Sequence, residues 1–246
     1  MRIYTKALGL SIFVAGLSYL IVTFDLIRID TSVLEVFFSV FGTIYAIMVG
    51  FVIMVLLNQY STIKDHIGSE INALQDLRDY LVYLDNNDRI RADIKDRIKE
   101  YVESVIETEW PQMVGTGKVD TDTSPELYAI MEAIHEIKPT NQSDIVALDK
   151  LIDTVGCITT YRTDRLYACS EKLPPLLKNI TMFLSFSLVI IFLGLSISNP
   201  ALKMLLSAVM TFAISLIESV LVDLDNPFKG DWCITSEAFG DLLKKF

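Results

Sequence analysis

VFFSVFGTIYAIMVGFVIMVLL, residues 36–57, runs for 22 residues without a formal charge. At about 1.5 Å per residue, a helix of that length spans roughly the 30 Å hydrocarbon thickness of a bilayer. Three more stretches share the property. Ala7 to Phe24 is charge-free, Lys178 and Lys203 bracket another, and Met204 to Val222 is interrupted only by Glu218. A single run of this kind fits a buried core helix of a soluble protein; four in one chain point to a membrane protein. Composition agrees, with 52% hydrophobic residues, only 21% charged ones and a positive mean hydropathy.

Arg2 and Lys6 precede the first run, as in a secretory signal. The run is long for a signal core, and Phe24-Asp25-Leu26-Ile27 offers no small-residue cleavage site, so it reads as a retained helix. Basic residues in the flanks set the orientation. The Asp25–Glu35 connection holds Asp25, Asp30 and Glu35 against Arg28 alone, which suits the outer face; most Lys and Arg lie in the middle segment and tail. The expected organisation is all-α, with both termini on the cytoplasmic side of the inner (cytoplasmic) membrane. Residues 1–58 carry transmembrane helices 1 and 2, and 59–177 form a helical cytoplasmic domain. Residues 178–222 carry transmembrane helices 3 and 4, and 223–246 form a cytoplasmic tail. Cys157, Cys169 and Cys233 fall outside the apolar runs, where reduced thiols are expected.

In the middle segment Ile63, Ile67, Ile71, Leu74, Leu77, Leu81 and Leu84 recur at helical spacing. The second membrane helix is therefore predicted to run on into the polar domain. Asn86-Asn87 marks a turn and cap. The next helix carries Ile90, Ile94, Ile98, Val102 and Ile106, and is expected to end at Trp110-Pro111, where Trp110 packs on a neighbouring helix. A loop over Gln112–Thr123 follows. Ser124-Pro125 caps a short helix to about Ile137, and Ser143 opens a last long helix that stops before Pro174-Pro175.

The net charge of −10 argues against nucleic acid as a partner. No enzyme constellation stands out: His66 and His135 are isolated, and no phosphate loop, nucleophile elbow or paired-Cys motif occurs. No catalytic residue is assigned, and Glu218 is expected to snorkel to water from about one turn inside the inner surface.

Two features suit a conduit. Thr43, Ile47 and Phe51 share one face of the second helix. In one chain that stripe is ordinary packing; in a ring of identical subunits it lines the axis, where apolar rings gate by dewetting. The second is LVDLDNPFKGDW, residues 221–232, where Pro227 must end the last membrane helix at Asp225 or Asn226. Asp223, Asp225, Asn226 and Asp231 crowd the turn that Gly230 permits. Clustered hard oxygens suit calcium, and solvated aspartates at a membrane exit are the plainer reading.

IYAIMVGFVI (44–53), YVESVIETEWPQMVGTG (101–117), LPPLL (173–177) and DLDNPFKG (223–230) resemble, in that order, the prokaryotic and plant bestrophin-like membrane proteins. More remotely, VGFVIMVLLNQY (49–60) and the Asn-Pro-Phe turn resemble bestrophin channels. The resemblance implies a homopentamer with four membrane helices per subunit, an axial pore lined by the second helix, and a neck at Thr43, Ile47 and Phe51, where Thr43 replaces an apolar residue. It also implies a calcium clasp, carried here by Asp223, Asn226 and Asp231. Ile234 stands where an acid is expected, and Lys229 enters the turn. The function so implied is ion transport, cation-selective if Asp25, Asp30 and Glu35 set the potential at the outer mouth. The alternative is a non-conducting membrane scaffold or sensor that binds a partner through its cytoplasmic helices.

Overall fold

The computed structural model describes residues 2–24, 31–85, 88–115, 121–195, 197 and 199–246; every element among them is helical. In chain order these are α1 (Arg2–Thr23), α2 (Thr31–Tyr80), a 3₁₀ turn (Leu81–Tyr83), α3 (Asp88–Ser104), a π turn (Val105–Glu109), α4 (Trp110–Gly115), α5 (Pro125–His135), α6 (Gln142–Ser170), α7 (Pro175–Gly194), α8 (Pro200–Leu224) and α9 (Glu237–Leu243). Asp25, Asp30 and the Asn86-Asn87 cap lie outside the described residues.

The chain divides into two units. The apolar one comprises Met1–Asn58 and Lys172–Asn226; the polar one comprises Gln59–Glu171 and Pro227–Phe246. Helix α2 contributes to both, and its 50 residues match the continuous helix that the apolar periodicity predicts. Three segments are long and apolar enough to cross a membrane: α2, the stretch Gln142–Gly194 that contains α7, and α8. Ala7–Thr23 of α1 is a shorter apolar helix.

Within the apolar unit α1 packs along α8, and Ser18 and Ser207 meet across that seam with their hydroxyls 3.1 Å apart. Small hydroxyl residues let two helices approach closely where no water competes for their hydrogen bonds. Helix α7 packs on α8, and Tyr45 and Val49 of α2 join Leu184, Leu188 and Ile214 in one buried cluster. Pro175 and Pro200 each begin a helix, where a missing N–H costs nothing; Asn199 caps α8 by accepting from the amides of Ala201 and Leu202.

The polar unit has one continuous core. The α2 residues Ile63, Ile67, Leu74 and Leu77, with Leu81 and Leu84 beyond the helix, pack against Ile94, Ile98, Val102, Leu127, Ile130, Leu151 and Ile158. Ser124 caps α5 as predicted, its hydroxyl accepting from the Leu127 amide at 3.2 Å. That helix ends at His135, two residues short of the expected Ile137. Helix α6 opens one residue before Ser143, because Asn141 is the cap and accepts from the Asp144 amide at 2.8 Å.

The expected stop at Trp110-Pro111 is not there. Pro111 lacks an N–H and its ring would strike a carbonyl one turn back. The chain widens into the π turn Val105–Glu109 and continues through α4 to Gly115. The helix survives its proline, so the connecting loop is shorter than Gln112–Thr123.

Candidate functional site

Helix α2 shows two different faces in its apolar half. Tyr45, Val49, Val52 and Leu56 are buried against the chain's own helices, with Val52 and Leu56 fully enclosed. Thr43, Ile47 and Phe51 turn the other way; Ile47 is 67% and Phe51 50% exposed. Thr43 keeps its hydroxyl on the helix, donating to the Ser39 carbonyl at 2.8 Å. The stripe therefore makes no core packing within its own chain, and large apolar side chains stand free on one helical face. Glu35 is exposed in the first turns of α2.

The aspartate-rich turn is organised by Asp225, the C-cap of α8. One carboxylate oxygen of Asp225 accepts from the Leu173 amide at 2.7 Å; the other accepts from Lys178 Nζ at 3.3 Å. Lys172 Nζ donates to the Asp225 carbonyl at 3.2 Å. An acid at a helix C-terminus opposes the helix dipole, and the two lysines offset that cost. The Asn226 amide donates to the Asp223 carbonyl at 3.2 Å, and Gly230 takes a φ of 125°, which a side chain disfavours.

As a calcium site the donor set fits poorly. Among the described residues no three His, Cys, Asp or Glu side chains stand together as metal ligands. Lys229 puts a cation in the turn, and Ile234, where a fourth acid would serve, is buried in the polar unit's core. The side chains of Asp223, Asn226 and Asp231 bring fewer oxygens than the roughly six to eight that calcium takes.

Phe228 is buried in the polar unit, its ring 5.5 Å from that of Trp110 in an edge contact. Trp110 also meets Phe239 of α9 at 6.0 Å, so it packs on a neighbouring helix as predicted. The Glu-Trp-Pro and Asn-Pro-Phe motifs thus share one aromatic cluster, which anchors the segment after Pro227.

Beside that cluster lies a buried ionic network that the sequence reading missed. Arg165 of α6 is fully buried. It donates to Glu70 of α2 at 2.7 and 3.1 Å and to Glu109 of the π turn at 2.7 Å. Arg162 donates to the other Glu109 oxygen at 2.7 Å, and the Tyr101 hydroxyl to Glu70 at 2.6 Å. Burial works against the Arg165 charge, but Glu70 and then Glu109 outweigh it and hold the guanidinium above its usual range. Tyr101 is pushed well up, first by burial and then by the Glu70 charge. Two cations and two anions close the network without net charge. Its signal in the sequence is faint: Arg162 and Arg165 fall three apart on one helical face, and Glu109 sits beside Trp110.

Glu218 is half-buried on α8 and accepts from the Ser185 hydroxyl of α7.

These features define the class: an all-helical membrane protein whose long second helix presents an unpacked apolar face. The chain belongs to the Bestrophin-like family, whose domain model matches residues 8–239. Crystal structures of a bacterial Bestrophin homolog from Klebsiella pneumoniae, each with a single substitution, share its fold. One has a TM-score of 0.77 at 11% identity and covers 98% of both chains. Another has a TM-score of 0.71 at 14% identity, over 98% of this chain and 94% of the other. Among curated proteins, none matches the chain.

Proposed function

We infer that the chain forms a homopentameric ion channel, with α2 lining an axial pore and Thr43, Ile47 and Phe51 forming its neck. The observation that carries this reading is the outward face of α2: Ile47 and Phe51 have no packing role within their own chain, whereas Tyr45, Val49, Val52 and Leu56 do. A symmetric ring gives that face a partner, namely its own copies, and leaves apolar rings around a central hole that dewet when narrow. Four helices per subunit cross the inner membrane, with both termini inside.

Charge favours cations. The polar unit holds 25 Asp and Glu against 15 Lys and Arg, so the chain's whole net charge of −10 resides there. Asp25, Asp30 and Glu35 add acids at the outer mouth. An acidic vestibule concentrates cations over its surface. Calcium has no part in this reading, and the Asp223, Asn226 and Asp231 turn serves as a lock for the tail.

Flux from liposomes containing intact purified oligomers tests the reading. Wild-type protein should pass monovalent cations above empty vesicles, and Phe51→Ala should raise the rate severalfold by removing one apolar ring. Intact pentamers that conduct nothing, in both forms, would reject it in favour of the scaffold.

A further inference from the structure

Tyr45 lies on α2 between Thr43 and Ile47 but faces inward, only 7% exposed, its ring packed among Val49, Leu184, Leu188 and Ile214. Its hydroxyl is sealed from solvent and makes no hydrogen bond of ordinary geometry among the described residues. The polar side chains that act on that hydroxyl are Ser185 of α7 and Glu218 of α8. Ser185 is itself paired with Glu218 and also contacts the Thr181 carbonyl at 3.0 Å. One turn earlier on the same α7 face, Thr181 is buried, and with Glu218 it lines a cavity of about 20 Å³. Lys178 and Asp225 line the same cavity from the end of the unit where α8 stops. A cavity of that size holds roughly one water or one bare ion.

The charges around the cluster are unbalanced. Glu218 has no cationic side-chain partner among the described residues. The nearest cation lining the cavity, Lys178, is taken by Asp225, which also accepts from the Leu173 amide. Arg2 and Lys6 of α1 lie outside the described side chains; those that are described, packed along α8, include no acid or base beyond the exposed Tyr19. The result is one carboxylate, two aliphatic hydroxyls and the Tyr45 phenol on three helices, with Glu218 about 9 Å inside the end of α8 at helical rise. Water can satisfy the phenol but not the charge.

We propose that Tyr45, Thr181, Ser185 and Glu218 form a binding site for a single dehydrated monovalent cation of the sodium class, reached through the cavity beside Lys178 and Asp225. Charge selects the class. One positive charge neutralises the single carboxylate, whereas a divalent ion would leave a net charge in an apolar unit and would lack the ligands it demands. The site sits behind the outward face of α2, with Tyr45 as its α2 ligand, so the ion ties the pore helix to α7 and α8. It is distinct from the axial path and needs no conduction to be occupied.

Thermal melting of the full-length protein in detergent, with sodium replacing N-methylglucamine at fixed ionic strength, tests the assignment. Wild type should melt several degrees higher in sodium, saturably, because an ion bound only by the folded state stabilises it. Glu218→Gln should lose the rise. Tyr45→Phe, which keeps the packed ring and removes only the orphaned hydroxyl, should lose at least half of it, and it decides the matter if Glu218→Gln does not assemble. Equal melting of wild type in both salts means that the cavity holds water only, and a full rise in Tyr45→Phe means that sodium acts elsewhere; either result overturns the proposal. The readout involves no flux, so its failure and the failure of the channel reading are separable.

Discussion

Arg165 shows how much one side chain can hold in this molecule. It touches Glu70 of α2, Glu109 of the π turn and the Met113 sulfur, and its guanidinium lies 5.5 Å from the Phe239 ring of α9. Truncating it strands Glu70 without a cation in a closed core and leaves Glu109 to Arg162 alone. Breaking a buried ion pair from one side typically costs about 3–5 kcal/mol. Arg165→Ala should therefore lower the melting temperature of the polar unit's helices sharply, as followed by circular dichroism. An exposed pair such as Lys244–Asp241 should contribute almost nothing when removed. A melting temperature unchanged in Arg165→Ala would show that the network does not hold the unit together. Such networks escape a sequence reading because burial of a charge depends on which distant partner arrives. Glu70 and Arg165 are 95 positions apart, and neither position has a local signal of enclosure.

Helices were the more legible scale. The apolar runs and the Ile/Leu spacing mark α1, α2, α7 and α8 and the core face of α2, because helical periodicity is written locally. The Ser124-Pro125 start of α5 is equally plain. The π turn was not legible: Pro111 reads as a stop, and only the cluster of Trp110, Phe228 and Phe239 shows what the chain gains by continuing. The start of α6 was misread by a residue for a related reason. Asp144, fully buried, accepts from the Thr140 amide and hydroxyl, both at 2.7 Å, and from the Asp85 amide at 2.8 Å. Asn141 reaches Asp85 in turn at 2.8 Å, so the cap of α6 and the exit of α2 are one hydrogen-bonded knot. These bonds, the Thr140 hydroxyl first, hold the Asp144 carboxyl down at about 2. An unfolded aspartate titrates near about 3.9, so the stabilisation is full above that pH and is lost as pH falls toward about 2. The melting difference between wild type and Asp144→Asn should therefore be constant from neutral pH to about 4 and shrink below it. A difference that persists unchanged at about pH 2 would contradict the assignment.

At the scale of the whole molecule, charge and apolarity are segregated between units. The apolar unit is balanced and the polar unit carries all the excess acid. Neutralising Asp25, Asp30 and Glu35 together should move the reversal potential of reconstituted protein toward anions; an unmoved potential would assign selectivity to the polar unit instead. Membrane class and helix content could be read from composition and periodicity. The use of the Thr43, Ile47 and Phe51 stripe could not, because one sequence cannot tell a packing face from a face turned to its own copies. Within the chain Ile47 and Phe51 stand exposed while their neighbours on the opposite face are enclosed, which leaves either lipid or the chain's own copies to face them. A density map of the purified oligomer viewed along the membrane normal tests the remainder most directly. The account predicts five copies of α2 around one axis, with Ile47 and Phe51 forming the narrowest rings; a different symmetry, or those two side chains facing lipid, would contradict it.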